Sequence, residues 1–332
     1  MSRIALLLLA TLVALPCSHA GHLVREKVSE SVYVVRPAEG DNTAVSNAAF
    51  IVLEDRVLLF DTLSSAELMA ELLGLMGEVA KQPLNMIVLS HWHRDHSGGM
   101  DLLASRPHQL IAGPGTVRRI NESRKADLGF LGKQEGDLSR KMAEAVDSQE
   151  AEELAVELRD VRREIGRVQR LPPLKAKIVV TDESEISFGK NVILIQHPGV
   201  GHTTGDLMVY VPTEGVLLAG DLVTVGTLPN LADAYTAEWL ERLDFLLTLS
   251  DIKVVPGHGP VGTKADVAAL RNYLTELRRM VRPIAEGGTM QDLVEKLRIP
   301  PAYASWHSED LWFPATLRVF RELKGQLPPP TP

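Results

Sequence analysis

At 332 residues the chain is longer than a typical domain, but it fits one layered unit of roughly 250 residues with additions. Hydrophobic residues make up 45% and charged residues 23%, ordinary globular usage that excludes intrinsic disorder as the starting assumption. A net charge of −8 argues against non-specific nucleic-acid binding and disfavours a polyanionic substrate.

In chain order, Arg3 precedes the apolar run from Ile4 to Leu15, and Pro16 then leads to Ser18-His19-Ala20. This is the order of a charged n-region, an h-region and a small-x-small cleavage site. The run is shorter than the roughly 20 residues a spanning helix needs. Residues 1–20 are therefore expected to be a signal peptide, with a mature chain starting near Gly21, exported to the periplasm and without a membrane anchor. Cys17, the only cysteine, would leave with the signal, so the mature protein would have neither disulfide nor thiolate ligand. Pro16 disfavours a lipid anchor on Cys17.

Ser31 to Val35, Ala48 to Leu53 and Arg56 to Phe60 read as strands of a meander. Ala66 to Met76 has its leucines at helical spacing, and Met86 to Leu89 reads as a short buried strand. A second β-rich block comprises Lys177 to Val180, Val192 to Gln196, Leu207 to Val211, Val216 to Ala219 and Lys253 to Val255. Two β-rich halves suggest sheet packed on sheet with helices outside. Between them a helical insertion of about 118–172 carries the stripe Leu154, Leu158, Val161, Ile165 and Val168, an amphipathic pattern that suits a surface helix, a lid or a dimer element. Lys264 to Val281 and Met290 to Leu297 read as helices of a C-terminal extension, 264–332.

Directly after the strand Met86 to Ser90 comes His91-Trp92-His93-Arg94-Asp95-His96. With 10 histidines in the chain, this grouping arises by chance on the order of once in two thousand such sequences, so coincidence is a weak rival. Gly201-His202-Thr203, Gly220-Asp221-Leu222 and Pro256-Gly257-His258-Gly259 add candidates, each at a turn beside a β-rich run. Imidazole and carboxylate donors suit Zn²⁺, with iron and manganese also possible. His197 suits a surface loop or a contact behind a ligand, His108 and His307 lie outside the motifs, and His22 is expected in a flexible terminus.

This succession of motifs resembles the metallo-β-lactamase superfamily from about Val32 to Val261. The resemblance implies an α/β fold, an αββα sandwich of two mixed sheets, over residues 21–263. It also implies two metal ions, one on His91, His93 and His202, the other on Asp95, His96 and His258, with Asp221 bridging. Asp61 matches a family position behind the ligands, and Thr203 and Asn230 are candidates behind the metals or at the substrate. Two ions sharing a hydroxide would give a nucleophile at neutral pH, oriented by Asp95 as the catalytic carboxylate. The expected reaction is hydrolysis of an ester-, lactone-, thioester- or amide-like bond in a small molecule.

Asp221 stands where the family's zinc β-lactamases have cysteine or serine, which favours a general hydrolase, whereas the segment Leu228 to Ala234 with Asn230 resembles a lactamase substrate-contacting segment. A mononuclear iron sulfur dioxygenase would use fewer ligands than the seven here, and a non-catalytic metal-binding periplasmic module would bind metal without turnover. Oligomeric state is not encoded in these motifs.

Overall fold

The computed structural model describes residues 21–40, 46–104, 106, 108–188 and 191–331. The signal-peptide reading falls on residues 1–20, outside the described residues. No helix among the described residues is long and apolar enough to cross a membrane.

The first sheet contains β1 (Leu23–Lys27), β2 (Val32–Pro37), β3 (Ala48–Val52), β4 (Val57–Phe60), β5 (Leu84–Leu89), β6 (Gln109–Ala112) and β7 (Ile178–Val179), in that spatial order. Its first four strands are antiparallel and the rest parallel. The second contains β8 (Glu183–Phe188), β9 (Asn191–Gln196), β10 (Met208–Val211), β11 (Val216–Thr224), β12 (Lys253–His258) and β13 (Gly262–Thr263). Only its β11–β12 pair is parallel.

Both faces of each sheet are covered, so alternate residues of a strand are apolar on both sides. Leu58, Met86 and Val88 point into the space between the sheets, where they meet Ile195, Val209, Leu218 and Val255. Their neighbours Leu59, Ile87 and Leu89 point the other way and pack on Leu68, Met69 and Leu72 of α1 (Ala66–Gly77). On the far side, Leu217 and Val254 pack against Trp239 and Leu243 of α6 (Thr236–Thr248) and against Leu270, Tyr273 and Leu274 of α7 (Lys264–Gly287). The result is the expected α/β arrangement, two mixed sheets between helices.

Four further helices are the short α2 (Arg94–Ser97) and α3 (Met100–Leu103) and a long hairpin of α4 (Thr116–Glu144) and α5 (Ser148–Gln169). The insertion expected at about 118–172 is thus a pair of helices. Leu158 and Val161 of the predicted stripe are buried against Leu138 of α4, with Leu154 and Ile165 partly covered beside them. The hairpin is fastened to the domain by Asp101 of α3, which accepts Arg124 and Arg167, each at 2.6 Å.

The boundary drawn after residue 263 divides the sequence but not the core. α7 covers the second sheet, and α8 (Met290–Lys296) and α9 (Trp312–Leu323) contribute Leu293, Val319 and Phe320 to the same cluster. Glu322 of α9 accepts the Thr236 and Ala237 backbone N–H groups at the start of α6, at 2.9 and 3.1 Å, and pairs with Arg278 of α7.

Trp239 is fully buried at this junction, and its Nε1–H donates to the Leu222 carbonyl at 3.0 Å. Trp239→Ala is expected to destabilise the chain by about 3–5 kcal/mol, from lost burial plus a residual cavity. A denaturant midpoint unchanged from the parent would contradict this packing.

Candidate metal centre

The candidate residues come from the segment after β5, the loop between β9 and β10, the interior of β11 and the end of β12. β5 runs out at Leu89, so Ser90, His91 and His93 leave the sheet edge, and α2 carries Asp95 and His96. The intervening side chains face the hairpin: Trp92 lies 5.3 Å from the Arg119 guanidinium, and Arg94 pairs with Asp127 at 3.2 Å. Asp221 and His258 were expected at turns beyond their strands; instead β11 continues through Asp221 to Thr224, and β12 ends on His258. The pairing of β11 with β12 shifts register on both sides of Gly220, whose φ of +52° belongs to the left-handed region. A Cβ there would lie 2.5 Å from Ser90 Cβ, so glycine permits the two sheet ends to meet.

Two groups of donors result. His91 Nε2 and His202 Nε2 each lie 3.0 Å from His93 Nδ1. In the second group Asp95 Oδ2 is 3.4 Å from His96 Nε2 and 3.2 Å from His258 Nε2, and those two nitrogens are 3.4 Å apart. Asp221 lies between the groups: Oδ1 is 3.0 Å from His96 Nε2 and 3.3 Å from His258 Nε2, while Oδ2 is 3.4 Å from His202 Nε2 and 4.0 Å from His91 Nε2. Donors bound tetrahedrally at about 2.0–2.1 Å from Zn²⁺ stand roughly 3.3 Å apart, so both groups have the right size for an ion. Hydrogen bonding alone does not account for the first, because His93 Nδ1 carries at most one proton and faces two imidazole nitrogens.

The residues behind the donors select which nitrogen of each ring faces inward. Asp61, buried at the end of β4 with φ +65°, accepts Ser90 N–H and Ser90 Oγ–H at 2.7 Å each, and accepts His96 Nδ1–H at 2.9 Å. Since Ser90 Oγ gives its proton to Asp61, it accepts from His91 Nδ1 at 2.9 Å, which leaves the Nε2 lone pair aimed at the site. Asp233 Oδ2 holds His93 Nε2 at 2.9 Å and so turns Nδ1 inward. Asp233→Asn is expected to weaken metal at the first group by about 10–100-fold while the second is less affected. Competition with a chromophoric chelator measures both steps, and an unchanged first step would exclude this role.

The charges also favour cations. Burial alone would raise Asp95 and Asp221, but the facing histidines hold both well below the ordinary carboxylate range. Burial opposes charge on His258 and His96 as well, but the carboxylates together outweigh it, Asp221 and Asp95 pushing His258 up to about 10 and, joined by Asp61, pushing His96 well above the usual imidazole range. His202, by contrast, is pushed down to about 3 by burial, assisted by His93 and His96, and His91 falls for the same reasons. His91 and His202 therefore offer neutral imidazoles to the first group, and Asp95 and Asp221 offer carboxylates whose charge is met by protons until a cation replaces them.

Thr203 does not reach the donors: its N–H and hydroxyl bind Asp206, which fixes the turn that presents His202. Burial raises Asp206 to about 7 despite those bonds. Asn230 lines the cavity over the site, with its Oδ1 also accepting Ala232 N–H at 2.9 Å. His197 pairs with the Asp206 carbonyl and His108 with the Arg106 carbonyl, neither of them a donor to the site. The expectation for His22 is corrected: its carbonyl accepts Ala38 N–H at 2.8 Å, at the foot of β1. Sequence reasoning missed Ser90, Asp233 and His307, the last of which lies in the cavity wall.

Known sequences and solved structures are similar to this chain. The family model of the Metallo-beta-lactamase superfamily matches residues 42–258. A Metallo-beta-lactamase type 2 of Bacillus cereus is 25% identical over 224 residues, 66% of this chain and 69% of that one. The Metallo-beta-lactamase type 2 of Bacillus sp. (strain 170) is 37% identical over 86 residues, 24% of this chain and 34% of that one. A metallo-beta-lactamase from Pontibacter korlensis superposes with TM-score 0.53 at 22% identity, covering 76% of this chain and 99% of that one. DIM-1 metallo-beta-lactamase gives 0.54 at 19%, covering 77% and 98%. With the matched residues spanning both donor groups, the chain belongs to the metallo-beta-lactamase superfamily.

Proposed function

We propose that the protein is an exported, periplasmic hydrolase that uses two divalent metal ions, zinc by donor chemistry, to cleave an ester-, lactone-, thioester- or amide-like bond in a small molecule. The observation that carries this reading is Asp221, whose two oxygens face separate donor groups. His91, His93 and His202 would hold one ion and Asp95, His96 and His258 the other, with Asp221 shared. When bound, such ions activate a water nucleophile and polarise the oxygen of the scissile bond. The chain supplies the rest. Asp61, Ser90 and Asp233 keep three rings in register, and Asp95, part-exposed and ionised, directs Oδ2 to His96 and His258, so that its other oxygen can hold the attacking water's proton.

The test is turnover by the zinc-loaded protein against carboxylic esters, lactones, thioesters, β-lactams, phosphodiesters and aryl sulfates. Turnover of an ester-like substrate, abolished by chelation and restored by zinc, is expected. No turnover of any member with two ions bound would reject the hydrolase. A second reading, β-lactam cleavage, draws on the relatives named Metallo-beta-lactamase type 2 and on Asn230 in the cavity wall. The same panel decides it.

A further inference from the structure

We infer that the site takes substrates with an aromatic portion and a separate anionic group, Trp306 receiving the first and Arg36 the second. This rests on the hydrolase reading and gives it a substrate class. The cavity over the donors has a volume of about 870 Å³, the scale of a drug-sized ligand and far more than a two-carbon ester requires.

One wall is built by chain that lies beyond the family-matched residues. Leu228 N–H donates to the His307 carbonyl, and His307 N–H donates to the Gly226 carbonyl, both at 3.0 Å, so the segment pairs with the loop after β11 as a short parallel bridge. Thr227 Oγ1 donates to Ser308 Oγ at 3.0 Å beside it. This pairing fixes Trp306 in the wall with Leu228 and Leu311. The indole is backed by Tyr303, with ring centroids 4.9 Å apart, and by the fully buried Tyr273 at 5.5 Å. A rigid indole with an apolar rim offers a stacking surface at little entropic cost.

Another wall, at the end of β2, carries Arg36. Among the described lining residues only Asp95 and Asp221 are acidic, and both are turned to imidazoles. Arg36 Nε is 3.3 Å from Glu26, both side chains substantially exposed, and an exposed pair of this kind is weak enough for an incoming anion to displace. The cavity thus presents a cation, an aromatic face and the candidate metal centre, although the whole chain is acidic.

The test uses equilibrium binding to the zinc-loaded protein by calorimetry, with acetate, benzoate and terephthalate as product-like acids. Affinity is expected to rise about tenfold at each addition, the ring and then the second carboxylate. Trp306→Leu should reduce the benzoate-to-acetate ratio to about two or less. Arg36→Gln, at an exposed position that does not depend on core packing, should do the same to the terephthalate-to-benzoate ratio. Parent ratios near one, or ratios unchanged in folded variants, would overturn the inference. Kinetics with phenyl acetate and 4-acetoxybenzoate separate it from the reaction: binding ratios as expected with neither ester hydrolysed would count against ester hydrolysis and leave the recognition standing.

Discussion

In Asp221→Ala both ions should be held weakly and turnover should fall at least about 100-fold, while the framework stays folded. The carboxylate is the one candidate donor that faces both groups, with Oδ1 at 3.0 Å from His96 and Oδ2 at 3.4 Å from His202. Removing it leaves His91, His93 and His202 on one side and Asp95, His96 and His258 on the other. Each trio could still bind an ion, but neither the spacing of the two nor the position of the attacking water would be fixed from between them. Misplacement by about 1 Å can cost on the order of 100-fold in rate, and loss of occupancy would add to that. Metal analysis after dialysis against a competing chelator, beside kcat, measures both effects. Two tightly held ions with unchanged turnover would show that Asp221 is not shared.

Gly257→Ala should produce a similar loss although the position carries no donor. A Cβ on Gly257 would lie 1.9 Å from Asp221 Oδ1, 2.8 Å from the Gly220 carbonyl carbon and 2.9 Å from Asp221 N. The last two are backbone atoms of the parallel neighbour strand, so relief requires the β11–β12 pairing to open or the carboxylate to swing away. Gly257 does not have positive φ, unlike Gly220, so the effect is steric and not conformational. Metal affinity and kcat are expected to fall about 100-fold. Gly74→Ala is the matched control: in α1, with nothing within 4 Å of the added carbon, it should be neutral or stabilise by about 1 kcal/mol. Near-parental activity in Gly257→Ala would mean that Asp221 does not need its observed position.

The donor residues were legible because chemistry forced them into compact motifs beside apolar strands, and the two-sheet sandwich because both faces of its strands are buried. Edge strands escaped for the converse reason. β1 (Leu23–Lys27) and β8 (Glu183–Phe188) border the two sheets, and edges are kept polar, so their sequences lack an apolar run. The helical insertion was expected at about 118–172, but its stripe was legible only in α5, because among the described side chains of α4 only Thr116, Ile120 and Leu138 are buried, too few for a helical stripe. Asp233 and His307 meet the site through tertiary contacts, His93 with Asp233 across 140 positions and the His307 bridge to Thr227. No spacing rule spans such distances. Asp61 was found only through its family position; its partners Ser90 and His96 follow from the adjacent ends of β4 and β5.

The central claim is a two-ion centre shared through Asp221, and anomalous X-ray diffraction at the zinc edge from metal-loaded crystals tests it most directly. Two peaks per chain are expected, each about 2.0–2.2 Å from the three donor atoms of its trio and both adjacent to Asp221. A single peak, or a second peak away from Asp95, His96 and His258, would contradict it.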